Sequence, residues 1–449
     1  MRSVSGLRGI VGVDLVPELV TRYAAAFGAF LLEEGGRTVA LARDSRQSGP
    51  AFAAAAASGL ASAGADVLDL GMVPTPTAQL AVEMMELAGG IVVTASHNPV
   101  EWNALKFIGP GGRFLTKREA EAFFALVDGG GAARRGGAAG VVRQDTGAVR
   151  RHLDRLLALP WLDVAVVRAR RFRVALDCVR GAGATVMPAL LDALGCDVHA
   201  IHLEPDGRFP REPEPIPEHL GELGDLVRAT KADVGLAVDP DVDRLALVDE
   251  TGLPIGEDYT LAFAVRAVLA RRPGPVVTNL STSRVVDDAA AAYGIKVERA
   301  PVGEANVVER MAARGAVIGG EGNGGVILPD VHLGRDAPVA AALALALLAA
   351  RGETVSSVVN SEPRYAILKA KVGWPAGSLD AVYGALAGVL AGAAEDRQDG
   401  LRLATQDRWI HVRPSGTEPV VRIIAEAPTE SSARELIERG RAALREAGN

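Results

Sequence analysis

Four short stretches carry residues whose types and spacing can do chemistry, and each follows an apolar run. In "VVTASHNP", Ser96 closes a strand-like segment and opens a Ser-His-Asn-Pro turn, which puts its hydroxyl on a solvent-facing loop. Such a hydroxyl either bonds the local backbone or acts as a reagent, and a serine nucleophile needs a base or electrostatic activation. Lys106, ten residues on, is a candidate for proton transfer or for a charge partner. In "VGLAVDPDVDR", Asp239, Asp241 and Asp243 alternate directly after Val234 to Val238. Three carboxylates brought together repel unless a cation binds, and a hard divalent ion with oxygen ligands, Mg²⁺ foremost, meets that need. Glu250 lies where the last ligand of a helical calcium loop would fall, but Arg244 replaces the turn glycine and the flanks "VGLAV" and "LALVD" are strand-like. A row of aspartates on a solvated strand face is the alternative.

The other two stretches suit recognition. "VIGGEGNGGVILPD" sets Glu321 and Asn323 among glycines, which let backbone approach a ligand while the carboxylate and amide bond sugar hydroxyls. "HLGRD", His332 to Asp336, can add charge to the same loop; a plain glycine-rich turn is the alternative. "VRPSGTEPVVRI" offers the Arg413 guanidinium, the Ser415 and Thr417 hydroxyls and the amide of Gly416, a set suited to a phosphate dianion or else a polar hairpin. No Walker lysine pattern occurs, so P-loop nucleotide binding has no support. A hydroxyl nucleophile, a divalent metal, a polyol-binding loop and a phosphate dock together describe phosphoryl transfer to or from a sugar phosphate.

The elements that must hold these loops repeat. "TVALARDSRQSGPAFAAAAASGLASAGADVLDLG", "FRVALDCVRGAGATVMPALLDALGCDVHAIH" and "PVVTNLSTSRVVDDAAAAYGIKVERAP" each run strand, Ala-rich helix, strand, with first strands ending near Asp44, Asp177 and Asn279. Strand, helix and strand within about 30 residues is a βαβ unit and favours a parallel sheet with helices on its faces. After about Ser361, "YAILKAKV", "LRLATQDRWIHVRPSG" and "PVVRIIAEA" read as strands and "ESSARELIERGRAALREAG" as an amphipathic helix. The expected fold is α/β: three related α/β domains with mixed, mostly parallel sheets, plus a smaller C-terminal α+β domain around a central cleft. The expected limits are 1–149, 150–252, 253–360 and 361–449, with "DGGGAARRGGAAG" at 128–140 as a loose loop or hairpin tip.

Composition narrows the class. The 449 residues exceed one ordinary domain, and 49% hydrophobic with 23% charged residues is globular, although aromatics reach only 4%. Tight helix packing through alanine follows. The net charge of −7 is spread along the chain, with no basic stripe interleaved with aromatics, which argues against a nucleic-acid partner. "MRSVSGLRGIVGVDLV" lacks a signal-peptide core and the longest apolar run, Ala337 to Ala350, is too short to span a bilayer, so neither a membrane partner nor export is expected and the location is read as cytoplasmic. Cys178 and Cys196 are read as reduced core residues.

In this order and at these intervals, "TASHNP", "DPDVDR", "GEGNG" and "RPSGTEP" resemble the phosphoserine, metal, sugar and phosphate loops of the α-D-phosphohexomutase superfamily, over essentially the whole chain. The resemblance implies that Ser96 carries a phosphoryl group and that Asp239, Asp241 and Asp243 hold one Mg²⁺ per chain together with it. Arg8 in "GLRG", Lys106 in "WNALK" and Arg244 match basic positions around the phosphoserine, with Lys106 the general acid/base. Glu321 and Asn323 would bind the sugar, and Arg413, Ser415, Gly416 and Thr417 the phosphate that is not reacting. A hexose bisphosphate serves as activator and intermediate, the substrate is a hexose phosphate, and the protein is a monomer or homodimer. Bacterial members commonly carry Glu-x-Ser-Gly/Ala-His in the sugar loop, whereas Asn323 and Gly325 stand here, as in a branch typified by archaeal phosphoglucosamine and phosphomannose mutases. Glucosamine is the favoured sugar, with phosphomannomutase/phosphoglucomutase activity the alternative. A sugar-phosphate phosphatase or a non-catalytic sensor are more distant readings.

Overall fold

A computed structural model describes residues 1–3, 6–130, 138–373, 379–414 and 420–446. Four sheets divide the chain. The first contains β1 (Arg2–Ser3), β2 (Gly6–Ile10), β3 (Thr38–Arg43), β4 (Asp66–Met72), β5 (Gly89–Val93), β6 (Trp102–Ile108) and β7 (Val142–Gln144), in the order β1-β2-β6-β5-β3-β4-β7. The second contains β8 (Arg173–Asp177), β9 (Asp197–Ile201), β10 (Val234–Val238) and β11 (Leu245–Val248), ordered β11-β10-β8-β9. The third contains β12 (Val276–Asn279), β13 (Val297–Ala300), β14 (Ile318–Glu321) and β15 (Gly325–Ile327), ordered β13-β12-β14-β15. The fourth is antiparallel throughout: β16 (Ala366–Gly373), β17 (Ala394–Asp396), β18 (Leu401–Ala404), β19 (Trp409–Pro414) and β20 (Val420–Ala427).

The three βαβ units read from the sequence are the parallel pairs β3/β4, β8/β9 and β12/β13. In each sheet the first strand of the unit also pairs in parallel with a third strand, β5, β10 or β14. That third strand then turns back into an antiparallel neighbour, β6, β11 or β15. Antiparallel neighbours need only a short connection, whereas parallel ones need a crossover, so each sheet has one short loop at the carboxyl end of a buried parallel strand. Ser96 lies in the first such loop, the aspartate triplet in the second, and the loop after Glu321 is the third. Arg413 stands on β19 at the edge of the fourth hairpin; Ser415, Gly416 and Thr417 lie outside the described residues, as does most of the glycine-rich stretch at 131–137.

Small residues bring helices close, as the alanine content suggested. The helix Gly49–Ser62 packs on Pro17–Glu33, and a Cβ on Gly59 would lie 2.4 Å from the Thr21 carbonyl oxygen. The second and third domains share one continuous apolar cluster, joined by the helix Ala337–Arg351, which is apolar up to its last residue, while the fourth has its own. Cys178 and Cys196 are free; Cys178 is buried, but Cys196 is only half-buried and packs at the edge of the core. No described helix is long and apolar enough to cross a membrane.

The helix Thr75–Met84 is a junction that the sequence did not flag. Its proline at the first turn suits helix initiation. Thr75, Thr77 and Gln79 are fully buried, and each reaches a different part of the chain. Thr75 donates its hydroxyl to Asp241 Oδ2 at 2.6 Å and its backbone N–H to the Asp241 carbonyl at 2.9 Å. Gln79 donates to Glu304 at 3.3 Å. Thr77 meets His152 Nδ1 at 2.9 Å, and His152 Nε2 lies 2.7 Å from Asp336 Oδ2, which His332 Nε2 also approaches at 2.9 Å. Each imidazole can donate to Asp336 through Nε2, and in that tautomer His152 Nδ1 accepts from the Thr77 hydroxyl. His332 therefore belongs to a buried inter-domain network, whereas its sequence context suggests added charge on the loop after Glu321.

Asp336 also caps the helix Ala337–Arg351 through Val339 N–H at 3.0 Å. Asp336→Asn turns an acceptor oxygen into a donor facing two imidazoles, and should cost about 2–4 kcal/mol of stability. Chemical denaturation will check this, and an unchanged unfolding midpoint would remove the network from the set of structural ties.

Candidate active site

Ser96 is buried, at 3% exposure, and not solvent-facing as its loop suggested. Its backbone has φ +50°, the left-handed region that a non-glycine residue enters only when its surroundings compel it. Those surroundings are specific. Thr94 Oγ1 accepts from Ser96 N–H at 2.9 Å and donates to Asp44 Oδ2 at 2.6 Å. The fully buried Arg46 donates to the carbonyls of Ser96 and Asn98, both at 2.6 Å, of Pro99 at 2.7 Å and of Trp102 at 2.9 Å, while its Nε bonds Asp44 at 3.1 Å. One guanidinium thus ties down the whole serine loop. Only the "RDSR" turn after the first repeat's strand signalled it, and polar turns after strands are common.

The Ser96 hydroxyl donates to Asp239 Oδ2 at 2.8 Å, across the boundary between the first two sheets. Asp239 Oδ1 accepts the N–H groups of Asp243 and Arg244 at 3.1 and 3.2 Å, so the loop wraps its own first carboxylate. Lys106 donates to Asp241 Oδ2 at 2.7 Å and to Asp243 Oδ2 at 3.4 Å. Arg8 pairs in register with Ala104, two residues from Lys106, so both cations lie on one face of the sheet; its guanidinium bonds Asn98 at 2.8 Å. Arg244 bonds Glu214 at 2.8 Å and stands 3.7 Å from Asp243. His97, unassigned from sequence, lies 3.4 Å from Ser96 Oγ, and burial, then the charges of Arg244 and Arg8, keep its imidazole well below its ordinary range and therefore neutral.

Glu321 ends β14. Its Oε1 accepts from Asn279 at 2.8 Å and from Gly303 N–H at 3.0 Å, and its Oε2 from Arg335 at 2.8 Å. Asn323 Oδ1 accepts from Gly325 N–H at 3.2 Å, a contact internal to the turn. Arg413 Nε donates to Asp399 at 2.7 Å. Ser96, Lys106, Arg244, the aspartate triplet and Glu321 thus form one linked group, with Arg335 as the link to Glu321; Arg8 joins through Asn98 at the serine loop, and among the described residues neither Asn323 nor Arg413 bonds into it.

Relatives carry the same frame. The chain matches the phosphoglucomutase/phosphomannomutase alpha/beta/alpha domains I, II and III over residues 2–131, 150–252 and 256–365, and the C-terminal domain over 368–443. It is 39% identical over 436 residues to a probable phosphoglucosamine mutase of Methanopyrus kandleri, covering 96% of this chain and 95% of that one. A phosphoglucomutase/phosphomannomutase of Thermococcus kodakarensis is 38% identical over 458 residues, with 98% of each chain covered. The crystal structure of a phosphoglucomutase/phosphomannomutase family protein from Burkholderia thailandensis superposes with a TM-score of 0.86 at 28% identity, over 100% of this chain and 98% of that one. The chain belongs to the α-D-phosphohexomutase superfamily. It is a hexose-phosphate mutase, an isomerase-class enzyme.

The mutase's aspartates fit a divalent cation. Their ligand atoms lie within 4.8 Å of one another, and all three side chains are at most 1% exposed, which excludes a solvated strand face. Among the described residues, Asp241 Oδ1 and Asp243 Oδ1 are buried without a hydrogen-bond partner, while the opposite oxygens are engaged by Thr75, Lys106 and Arg335. Buried lone pairs left open in this way are costly unless something binds them. Burial, then the charges of Asp243 and Asp241, push the Asp239 carboxyl well above the ordinary carboxylate range. Burial presses Asp243 the same way, but Arg335, Lys106 and Arg244 outweigh it and hold that carboxyl low. Burial would lower Lys106, yet Asp241 and Asp243 raise it above an ordinary lysine.

Arg46→Met should destabilise the mutase by about 3–5 kcal/mol, because it leaves Asp44 buried without its cation. Hydrogen exchange of residues 94–103 should accelerate beyond any global change; protection retained in that loop would show that Ser96 is held by other contacts.

Proposed function

We propose that this mutase interconverts hexosamine 6- and 1-phosphates, glucosamine phosphate foremost, through a phosphoryl group carried on Ser96. The observation that carries the reading is the Ser96 hydroxyl 2.8 Å from Asp239, beside the two open oxygens of Asp241 and Asp243. A phosphorylated serine brings roughly −1.5 to −2 charges at neutral pH and needs both a cation and basic neighbours. Asp239, Asp241 and Asp243 would hold one Mg²⁺ per chain, which, when bound, neutralises charge on the phosphoryl group in transfer.

The P–O bond to Ser96 breaks as a bond forms to the free hydroxyl of a hexose 6-phosphate. The hydroxyl's proton leaves to a base and the departing Ser96 oxygen takes one. Lys106, held as an ammonium by Asp241 and Asp243, serves as the donor in that step and as the base in the reverse. Arg8 and Arg244 flank the phosphoryl group. The hexose bisphosphate reorients and its 6-phosphoryl returns to Ser96, leaving the 1-phosphate. Glu321 and Asn323 bond the sugar hydroxyls, and Arg413, Ser415, Gly416 and Thr417 hold the phosphate that is not reacting. The setting is cytoplasmic, with a hexose phosphate as partner. The name of the Methanopyrus kandleri relative supports glucosamine, and that of the Thermococcus kodakarensis relative supports a phosphomannomutase/phosphoglucomutase as the second reading.

The deciding experiment compares kcat/KM for glucosamine, mannose and glucose phosphates, each with its matching bisphosphate. The highest ratio should fall on glucosamine, and steady release of inorganic phosphate without isomer would overturn the mutase chemistry. Ser96→Ala should lower kcat by at least about a thousandfold in a chain that still folds, at a stability cost of about 1–3 kcal/mol for the donor that buried Asp239 loses, and mass spectrometry should find phosphate on Ser96 in the parent alone. Asp241→Asn should raise the half-saturating Mg²⁺ concentration by at least about tenfold; an unshifted titration would remove Asp241 from the ligand set.

A further inference from the structure

Arg335 is 8% exposed and its guanidinium spans the two loops that matter most. Nη2 donates to Asp243 Oδ2 at 2.6 Å, Nη1 to Glu321 Oε2 at 2.8 Å and Nε to Glu304 Oε2 at 3.0 Å. A planar fork of fixed N–H directions sets the relative position of what it binds, which an ammonium on a flexible stem does not. The neighbouring backbone is cut to admit it. A Cβ on Gly325 would lie 2.2 Å from Arg335 Cδ and 2.9 Å from its Cγ, and Gly325 is not in the left-handed region, so the missing side chain makes room for Arg335 and not for an unusual turn.

We propose that Arg335 is the positioning residue that couples the sugar loop to the metal loop: it orients Glu321 for a hexose hydroxyl while competing with the cation for Asp243. This rests on the mutase reading above. Glu321 Oε1 already accepts two N–H groups, so the acceptor capacity left to a ligand is on Oε2, and Arg335 fixes where it points. On Asp243 the guanidinium occupies Oδ2 and leaves Oδ1 open. A fixed positive charge beside a cation site repels the cation. The two effects of Arg335 on binding therefore have opposite signs, whereas a residue that only braced the fold would weaken sugar and metal binding together.

The test measures Mn²⁺ affinity by electron paramagnetic resonance and the affinity for glucosamine 6-phosphate and glucose 6-phosphate, at saturating Mg²⁺, by calorimetry. In Arg335→Met the sugar-phosphate Kd should rise about tenfold, the scale of one charge-assisted hydrogen bond, while the Mn²⁺ Kd falls. Arg335→Lys keeps the charge but not the fork, and should restore parental Mn²⁺ affinity without restoring sugar-phosphate affinity. Gly325→Ala, which crowds the guanidinium out, should move both constants as Arg335→Met does, and it carries the test if that variant does not fold. Both affinities falling together, or neither moving, would overturn the proposal. If the parent binds neither sugar phosphate, the mutase reading fails on its own account, and the Mn²⁺ arm still decides whether Arg335 competes for Asp243.

Discussion

Three carboxylates packed together out of water are the constraint on which the rest of the site depends. Removing a carboxylate from water costs far more than any single contact returns unless it is paired. Each aspartate meets that cost differently. Asp239 takes two amides of its own loop and the Ser96 hydroxyl, Asp241 takes Thr75 and Lys106, and Asp243 takes Lys106 and Arg335. Ser96, Thr75 and Lys106 come from the first domain and Arg335 from the third, so the same electrostatic demand that prepares a cation site also joins three domains around it.

One topology aims all of these groups. Because β5, β10 and β14 are each followed by an antiparallel return, each domain offers one short loop at the carboxyl end of a buried strand. The repeat supplies the loop and the residues in it supply the chemistry: a hydroxyl in the first, carboxylates in the second, a single carboxylate among glycines in the third. What differs is how each loop is stiffened. Arg46 holds the serine loop by its carbonyls, the aspartate loop folds on Asp239, and Glu321 is fixed from outside by Asn279, Gly303 and Arg335.

What could be read from sequence was what is local. The strand ends near Asp44, Asp177 and Asn279, the βαβ repeats and the aspartate triplet are short-range patterns, and the fold carries them as read. Thr75, Thr77 and Gln79 gave no signal, since three polar residues in an otherwise ordinary helix look like a solvated face until partners up to 225 residues away are known. Ser96 reads as exposed from its turn for the same reason: the group that covers its hydroxyl, Asp239, is 143 residues distant. Arg46 and Arg335 were visible as charges but not as braces, because a guanidinium's role is set by what surrounds it.

The cores also differ in a way that bears on motion. The second and third domains share one apolar cluster, so moving one against the other would expose packed surface at a cost proportional to area. The fourth domain keeps a separate core, and polar bonds such as Ser281 to His411 at 2.8 Å, Arg284 N–H to Glu426 at 3.0 Å and Val302 N–H to Asp399 at 3.1 Å tie it to the third. Such bonds return about 0.5–1.5 kcal/mol each, so directional contacts hold the fourth domain where packed area holds the second and third together. Asp399 Oδ2 carries both the Val302 contact and the bond to Arg413, so one carboxylate joins β19 to the third domain.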